Sequence, residues 1–243
     1  HVEAARLAQE GATVTVLDRS AEAIDAAQGQ PAMAGIRFER VDLTDASQTS
    51  ALLGRLVSDS GGFDILVNNA GGSLHTPARF LDESDEDWDR VLALNLTAAV
   101  RLTRAVLPAM MARGWGRIVN ITSSSVKAPI AALGLSGAAR SGLTGFVAGT
   151  SRQVAQHGVT INNLLPGQHE TDRITSLMEN TARTRGIPVD QVRADAYAMN
   201  PARRFGTIEE FGAACAFLCS VHAGYIVGQN LLIDGGAVNS TMG

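Results

Sequence analysis

Short apolar runs alternate with helical patterns along the whole chain, and this alternation restricts the fold more than any other feature. Runs rich in aliphatic and β-branched residues at 13–17, 36–41, 64–67, 117–121, 159–165 and 230–233 have the length and composition of buried strands. Between them, residues at helical spacing mark helices at 21–28, 46–58, 85–113, 136–156 and 209–220. Strands that read as continuous apolar runs are covered on both faces, and a strand–helix–strand alternation joins parallel neighbours. The expected architecture is therefore α/β, a doubly wound parallel sheet with helices on both faces. There is no repeat and no low-complexity linker, so one domain is expected over 1–243. The polar, mixed stretch 172–201 reads as an insertion or lid within it.

Composition narrows the functional classes. A formal charge of −4 over 243 residues offers no basic footprint for nucleic acid. No apolar run approaches the roughly 18 residues expected of a membrane span, and no charged-then-apolar signal segment opens the sequence. Cys215 and Cys219 lie four apart on an expected helix, while His75, His157, His169 and His222 are scattered without ligand spacing. Two reduced, buried thiols are expected rather than a metal site, which suits a cytoplasmic protein. The sequence opens in what reads as mid-helix, with Val2, Ala5 and Ala8 on one stripe and Gly11 ending the helix.

Chemistry-bearing residues collect at the strands' carboxyl ends, where open α/β sheets bind ligands. Asp18 closes the first run; a carboxylate there can accept from both ribose hydroxyls of an adenosine and repel a 2′-phosphate, or serve as a turn aspartate before a Ser20 cap. Asp42-Leu43-Thr44-Asp45 follows the next run, with Asp45 a candidate helix cap. The third run ends in Asn68-Asn69-Ala70-Gly71-Gly72, amides and small residues that let a ligand approach the backbone. Asn95 falls on the apolar stripe of Trp88, Val91, Leu92, Ala99, Leu102 and Val106, so a polar amide must face the core and find partners there. Ser123 stands at the end of the fourth run, and Pro166-Gly167-Gln168-His169-Glu170-Thr171 follows the fifth. His169 could titrate near neutrality, although an exposed loop histidine is the commoner situation.

In series these elements resemble the short-chain dehydrogenase/reductase family, of the classical type similar to 3-oxoacyl-carrier-protein reductases. The resemblance rests on Asp18, D-L-T-D at Asp42, N-N-A-G at Asn68, N-L-T-A at Asn95, the strand-end Ser123, P-G-x-x-x-T at Pro166 and D-G-G at Asp234. The segments 201–206 and 228–236 look like the same family. It implies a Rossmann-like fold and hydride transfer between NAD, with NADP possible beside Arg19, and a small carbonyl or alcohol substrate. Asp18, Arg19, Asp42 and Leu43 would meet the adenosine half of the cofactor. Asn69, Ala70, Gly71, Pro166, Gly167, His169 and Thr171 would line the remainder. Asn95 would hold a water-linked proton path, Ser123 would bind the substrate oxygen, and Thr171 would cap the lid. A homotetramer built on helices 85–113 and 136–156 is implied as well.

The sequence departs from that family at two places. Thirteen residues after Ser123 the family places Tyr-x-x-x-Lys, and this chain has Ser136 and Arg140. A serine is a weaker acid and a shorter arm than a tyrosine, whereas Arg140 keeps the charge and can fork onto ribose hydroxyls but cannot shuttle a proton. Tyr197 in the lid and Tyr225 before the last strand are the chain's two tyrosines, and Tyr197 is the candidate substitute. Three readings follow: an oxidoreductase taking its proton from water, His169 or a lid residue; a dinucleotide-binding protein without turnover; and a different reaction using Ser123, Ser136 and Arg140 to polarise a carbonyl. The second departure is the family's first strand and glycine-rich T-G-x-x-x-G-x-G turn, which this sequence lacks. Their place is the sheet centre, between the strands ending at Asp18 and Asn68, so two open edges and an apolar gap are expected in a fragment of a longer protein.

Overall fold

The computed structural model describes residues 2–72 and 80–240; His75 lies outside them. Six strands form, all in parallel pairs. They are β1 (Thr15–Asp18), β2 (Arg37–Arg40), β3 (Ile65–Asn68), β4 (Gly116–Ile121), β5 (Val159–Pro166) and β6 (Asn230–Ile233). The helices are α1 (Val2–Gln9), α2 (Ala21–Gln28), α3 (Ala46–Ser60), α4 (Asp85–Leu92), α5 (Ala98–Arg113), α6 (Gly134–Val154), α7 (Asp172–Arg185), α8 (Val189–Met199) and α9 (Ile208–Cys219). Side chains of β4 alternate between two cores. Val119 packs with Leu7, Cys215 and Leu218 from α1 and α9, whereas Ile118 packs with Val106, Met110 and Val147 from α5 and α6. That alternation places helices on both faces, as expected for a doubly wound sheet.

The strands do not make one continuous ladder. β1 pairs with β2 in one sheet, and β3–β4–β5–β6 form a second. Among the described residues, β1 and β3 each have a strand on one side only, and both line an apolar cavity of about 250 Å³ with Leu7, Leu56 and Leu102. The expected gap between Asp18 and Asn68 is thus present as a physical break in hydrogen bonding.

Two expectations need correction. The stripe on α1 is Ala4, Ala5 and Leu7 rather than Val2, Ala5 and Ala8, because this helix is wedged between α9 and the cluster of Ala27, Met33 and Ile36. The helix expected over 85–113 contains a π-helical turn at Ala93–Thr97. Asn95 lies inside it, and its Nδ2 donates to Val91 O, one turn back, at 3.0 Å. By length and apolarity this 29-residue composite could cross a bilayer, but Val91, Leu102, Val106 and Met110 along it are packed in the domain's cores. The stretch 172–201 folds as α7 and α8, packed on each other around Met178, Ala182, Val192 and Phe205.

A chain of buried amides crosses the larger sheet. Asn68, Asn120, Asn163 and Asn230 occupy facing positions on β3, β4, β5 and β6. Asn68 Nδ2 donates to Asn120 Oδ1 (2.8 Å), Asn120 Nδ2 to Asn163 Oδ1 (3.3 Å), and Asn163 Nδ2 to Asn230 Oδ1 (2.8 Å). Buried amides are tolerated only when paired, so this chain holds the register of the four strands. Asn68 Oδ1, next to the gap, has no partner among the described residues. Asn120→Leu leaves two more amides unpaired in a dry layer. We expect it to cost about 2–4 kcal/mol of stability in urea unfolding, against less than about 0.5 kcal/mol for an exposed control.

Candidate active site

Because every strand pair is parallel, the strands of each sheet end at one edge, and the candidate residues assemble along it. α6 starts beyond the end of β4 and brings Ser136 and Arg140, one turn apart, back against that strand. Arg140 Nε donates to Ser136 Oγ at 3.2 Å, and Nη1 donates to the carbonyls of Ile121 (3.1 Å) and Thr122 (2.7 Å). No carboxylate meets this guanidinium among the described residues. Burial, and secondarily the nearby Arg173 cation, lowers its pKa from the ordinary arginine value.

Asn95 closes the other side. Its Oδ1 accepts from Gly72 N at 3.0 Å and its Nδ2 donates to Gly72 O at 2.9 Å, so one side chain clamps both polar groups of a loop residue. The polar position on the apolar stripe does have core partners, as expected. The segment Asn69-Ala70-Gly71 that leads into this clamp is exposed. A Cβ on Gly71 would sit 2.8 Å from Asn95 Oδ1 and 3.1 Å from Arg140 Nη2. Glycine is therefore required there, and Arg140, Asn95 and the exposed loop meet at one point.

Ser123 is half-buried at the end of β4, and its Oγ accepts from Ser125 N at 3.1 Å as the cap of a short 3₁₀ turn. The neighbouring Thr122 hydroxyl is buried without a partner among the described residues. Beyond β5, Gly167 N donates to Ile233 O, and a Cβ on Gly167 would lie 2.6 Å from that of Asp234, so Pro166-Gly167 is pressed against the end of β6. Thr171 caps α7, its hydroxyl accepting from Ile174 N at 3.3 Å.

The adenosine-side candidates gather at the ends of β1 and β2. Asp18 Oδ1 accepts from Ser20 N at 2.9 Å, and Ser20 caps α2. Asp42 accepts from the amide and hydroxyl of Thr44, bonds that, with Arg19 nearby, hold its carboxyl below the usual range. Leu43 is buried against α3, and Arg101 Nη1 donates to its carbonyl at 2.8 Å. A groove of about 560 Å³ is lined by Arg19, Ser20, Arg40, Val41, Asp42 and Gln48. Arg40 was not singled out from sequence; the parallel pairing of Asp18 with Arg40 is what brings it beside Arg19.

Two candidate proton donors are engaged elsewhere. The His169 ring has Nδ1 3.2 Å from Gly167 O, lies edge-on to Phe211 at 5.8 Å, and fills the space over Gly206. Tyr197 donates its hydroxyl proton to Glu170. Tyr225 is fully exposed before β6.

This geometry has close counterparts. The family model described as enoyl-(acyl carrier protein) reductase matches residues 2–238. The chain shares 36% identity over 219 residues with the D-beta-hydroxybutyrate dehydrogenase of Cupriavidus necator, covering 88% of this chain and 84% of that protein. It shares 35% over 196 residues with the 3-oxoacyl-(acyl-carrier-protein) reductase FabG of Vibrio cholerae, covering 81% and 75%. Among solved structures, YwfH, described as an NADPH-dependent reductase involved in bacilysin biosynthesis, superposes with a TM-score of 0.89 at 26% identity, covering 98% of this chain and 93% of that one. The chain therefore belongs to the short-chain dehydrogenase/reductase family of NAD(P)-dependent oxidoreductases.

Asn95→Ala removes both bonds to Gly72 and one to Val91. We expect a stability loss of about 1–3 kcal/mol. Exchange of the Gly72 amide should also rise in the folded state, which hydrogen–deuterium exchange reads directly.

Proposed function

We propose that this protein transfers a hydride between a nicotinamide dinucleotide and a carbonyl or alcohol carbon, with Ser136 serving the substrate oxygen in place of a phenol. The observation that carries this is the bond from Arg140 Nε to Ser136 Oγ. An oxygen that accepts from a guanidinium keeps its own proton for another acceptor, and the cation favours build-up of negative charge beside it. Ser136 thus donates a hydrogen bond to the developing alkoxide, and water behind it replenishes the proton. Neither His169 nor Tyr197 is favoured in this role, since His169 Nδ1 faces Gly167 O with the ring packed over Gly206, and the Tyr197 hydroxyl donates to Glu170. Ser123 supplies the second hydroxyl to the same oxygen, and Asn95 holds the loop that borders it.

The residues present fit the cofactor. The bare backbone at Gly71 admits a close approach, and the free face of Arg140 Nη2 beside it suits a ribose hydroxyl. Asn69, Ala70, Pro166, Gly167, His169 and Thr171 would border the nicotinamide half, with Asp18, Arg19, Asp42 and Leu43 at the adenosine half. When bound, the dinucleotide supplies or accepts the hydride. Asp18 disfavours a 2′-phosphate, which supports NAD; Arg19 and Arg40 on the adjacent groove support NADP as a second, weaker ligand. In this reading 1–243 is one domain with α7–α8 as its lid. The protein works as a homotetramer through the exposed small-residue faces of α5 and α6, in the cytoplasm, where Cys215 and Cys219 stay reduced.

The test is turnover of β-hydroxybutyrate, a 3-oxoacyl thioester and a broader ketone and alcohol panel. Ser136→Ala should lower kcat/KM by about 100-fold while the dinucleotide Kd stays within about threefold. Arg140→Met should weaken both. A Ser136→Ala enzyme with unchanged kcat/KM would show that Ser136 does not serve the reacting oxygen.

A further inference from the structure

The α7–α8 hairpin has a hydrophobic core of its own. Met178, Ala182, Val192 and Phe205 are buried in it with Ile174, Ile187, Val189 and Ala196 around them, in a cluster separate from those on the sheet. Such a body moves as a unit unless something ties it down. Among the described residues, Phe205 of the segment before α9 packs into this core, and Arg203 Nη1 of the same segment donates to Ala198 O. At its far end, Asn200 bridges Asp234 O and Ala202 N. A further polar tie joins α8 to the loop after β5. Arg193 and Tyr197, one turn apart on α8, converge on the Glu170 carboxylate. Tyr197 donates to Oε1, and Arg193 Nη1 donates to Oε2 at 3.2 Å and to the Tyr197 hydroxyl at 3.3 Å. The Tyr197 ring stands edge-on to Phe205 at 5.0 Å, so the hydroxyl is aimed by the hairpin's own core. Glu170 is equally fixed, because its amide donates to Gly206 O at 2.8 Å and Gly206 N donates back to Gln168 O at 3.0 Å.

We propose that Glu170, Arg193 and Tyr197 form a latch that holds the α7–α8 hairpin against the 166–171 loop and thereby sets how tightly the pocket retains substrate. All three are positioning residues, and none touches the reacting atoms. Glu170 lies between His169 and Thr171, so the coupling to substrate rests on the reading of that loop as the nicotinamide border. Opening the latch frees α8 to move while the hydrogen bonds of the Ser136–Arg140 pair, made to its own helix and to the end of β4, stay in place. Its loss therefore falls on substrate retention rather than on the chemical step.

The experiment compares the full chain with Tyr197→Phe, Glu170→Gln and Glu170→Ala by hydrogen–deuterium exchange without ligand and by steady-state kinetics. Amides of 172–199 should exchange about 10-fold faster in Glu170→Ala and less so in Tyr197→Phe and Glu170→Gln, which keep part of the network, while β4 and β5 are unchanged. Substrate KM should rise about 5–20-fold in Glu170→Ala with kcat within about twofold, and the two milder variants should fall between it and the wild type. Unchanged exchange in all three variants would overturn the latch. Faster exchange with an unchanged KM would overturn its link to the pocket. Wild-type protein that binds no dinucleotide would fail the oxidoreductase reading on its own, and the exchange data would still decide the latch.

Discussion

The register of the parallel strands β3 to β6 is the constraint on which the rest of this structure depends. Backbone pairing and the side-chain amides Asn68–Asn120–Asn163–Asn230 hold the four strands in one register. The loops after Asn68, Ile121, Pro166 and Ile233 therefore leave from the same edge, staggered by up to three residues. A slip of one residue would turn each amide into an apolar layer and carry the Ile121 and Thr122 carbonyls away from Arg140. Chemistry at the edge is in this sense a consequence of polar pairing within the sheet.

Arg140 shows how a buried cation is accommodated without a carboxylate among the described residues. Two carbonyl dipoles at the end of β4 and the Ser136 oxygen take three of its N–H groups. Burial and Arg173 lower its pKa, but a guanidinium starts so high that it stays charged at neutral pH. A lysine could make the same approach only as a point charge. The planar fork spans the strand end and the serine together while leaving Nη2 toward Gly71. A serine is a shorter arm than a phenol; in the proposed reading the fork offsets this by polarising the hydroxyl from behind.

Much of this was legible in the sequence for physical reasons. Most strand positions followed from short runs rich in aliphatic and β-branched residues, and Asn95 from its place on an apolar stripe, where an amide must have partners. Ser20, Asp45 and Thr171 are caps because their side chains precede helical periodicity, and each does cap a helix. Other features depend on tertiary contacts that periodicity does not encode. The π turn arises from a side chain competing for Val91 O, and the buried face of α1 is set by two neighbours rather than one. Arg40 joins the groove beside Arg19 only through strand pairing. Tyr197 looked like a free phenol in a polar stretch, yet Glu170 takes its proton. The amide chain did leave a trace, since asparagine recurs in or beside four of the apolar runs, but its meaning needs the register.

The central claim is that this edge binds a nicotinamide dinucleotide and turns it over with Ser136–Arg140 at the reacting oxygen. Its most direct measurement is titration of the protein with NADH and NADPH, followed by absorbance at the nicotinamide band during incubation with the carbonyl panel. The account predicts saturable binding, tighter for NADH, and substrate-dependent loss of the reduced-nicotinamide absorbance. Saturable binding with no absorbance change for any substrate would contradict it, leaving a dinucleotide-binding protein without redox chemistry.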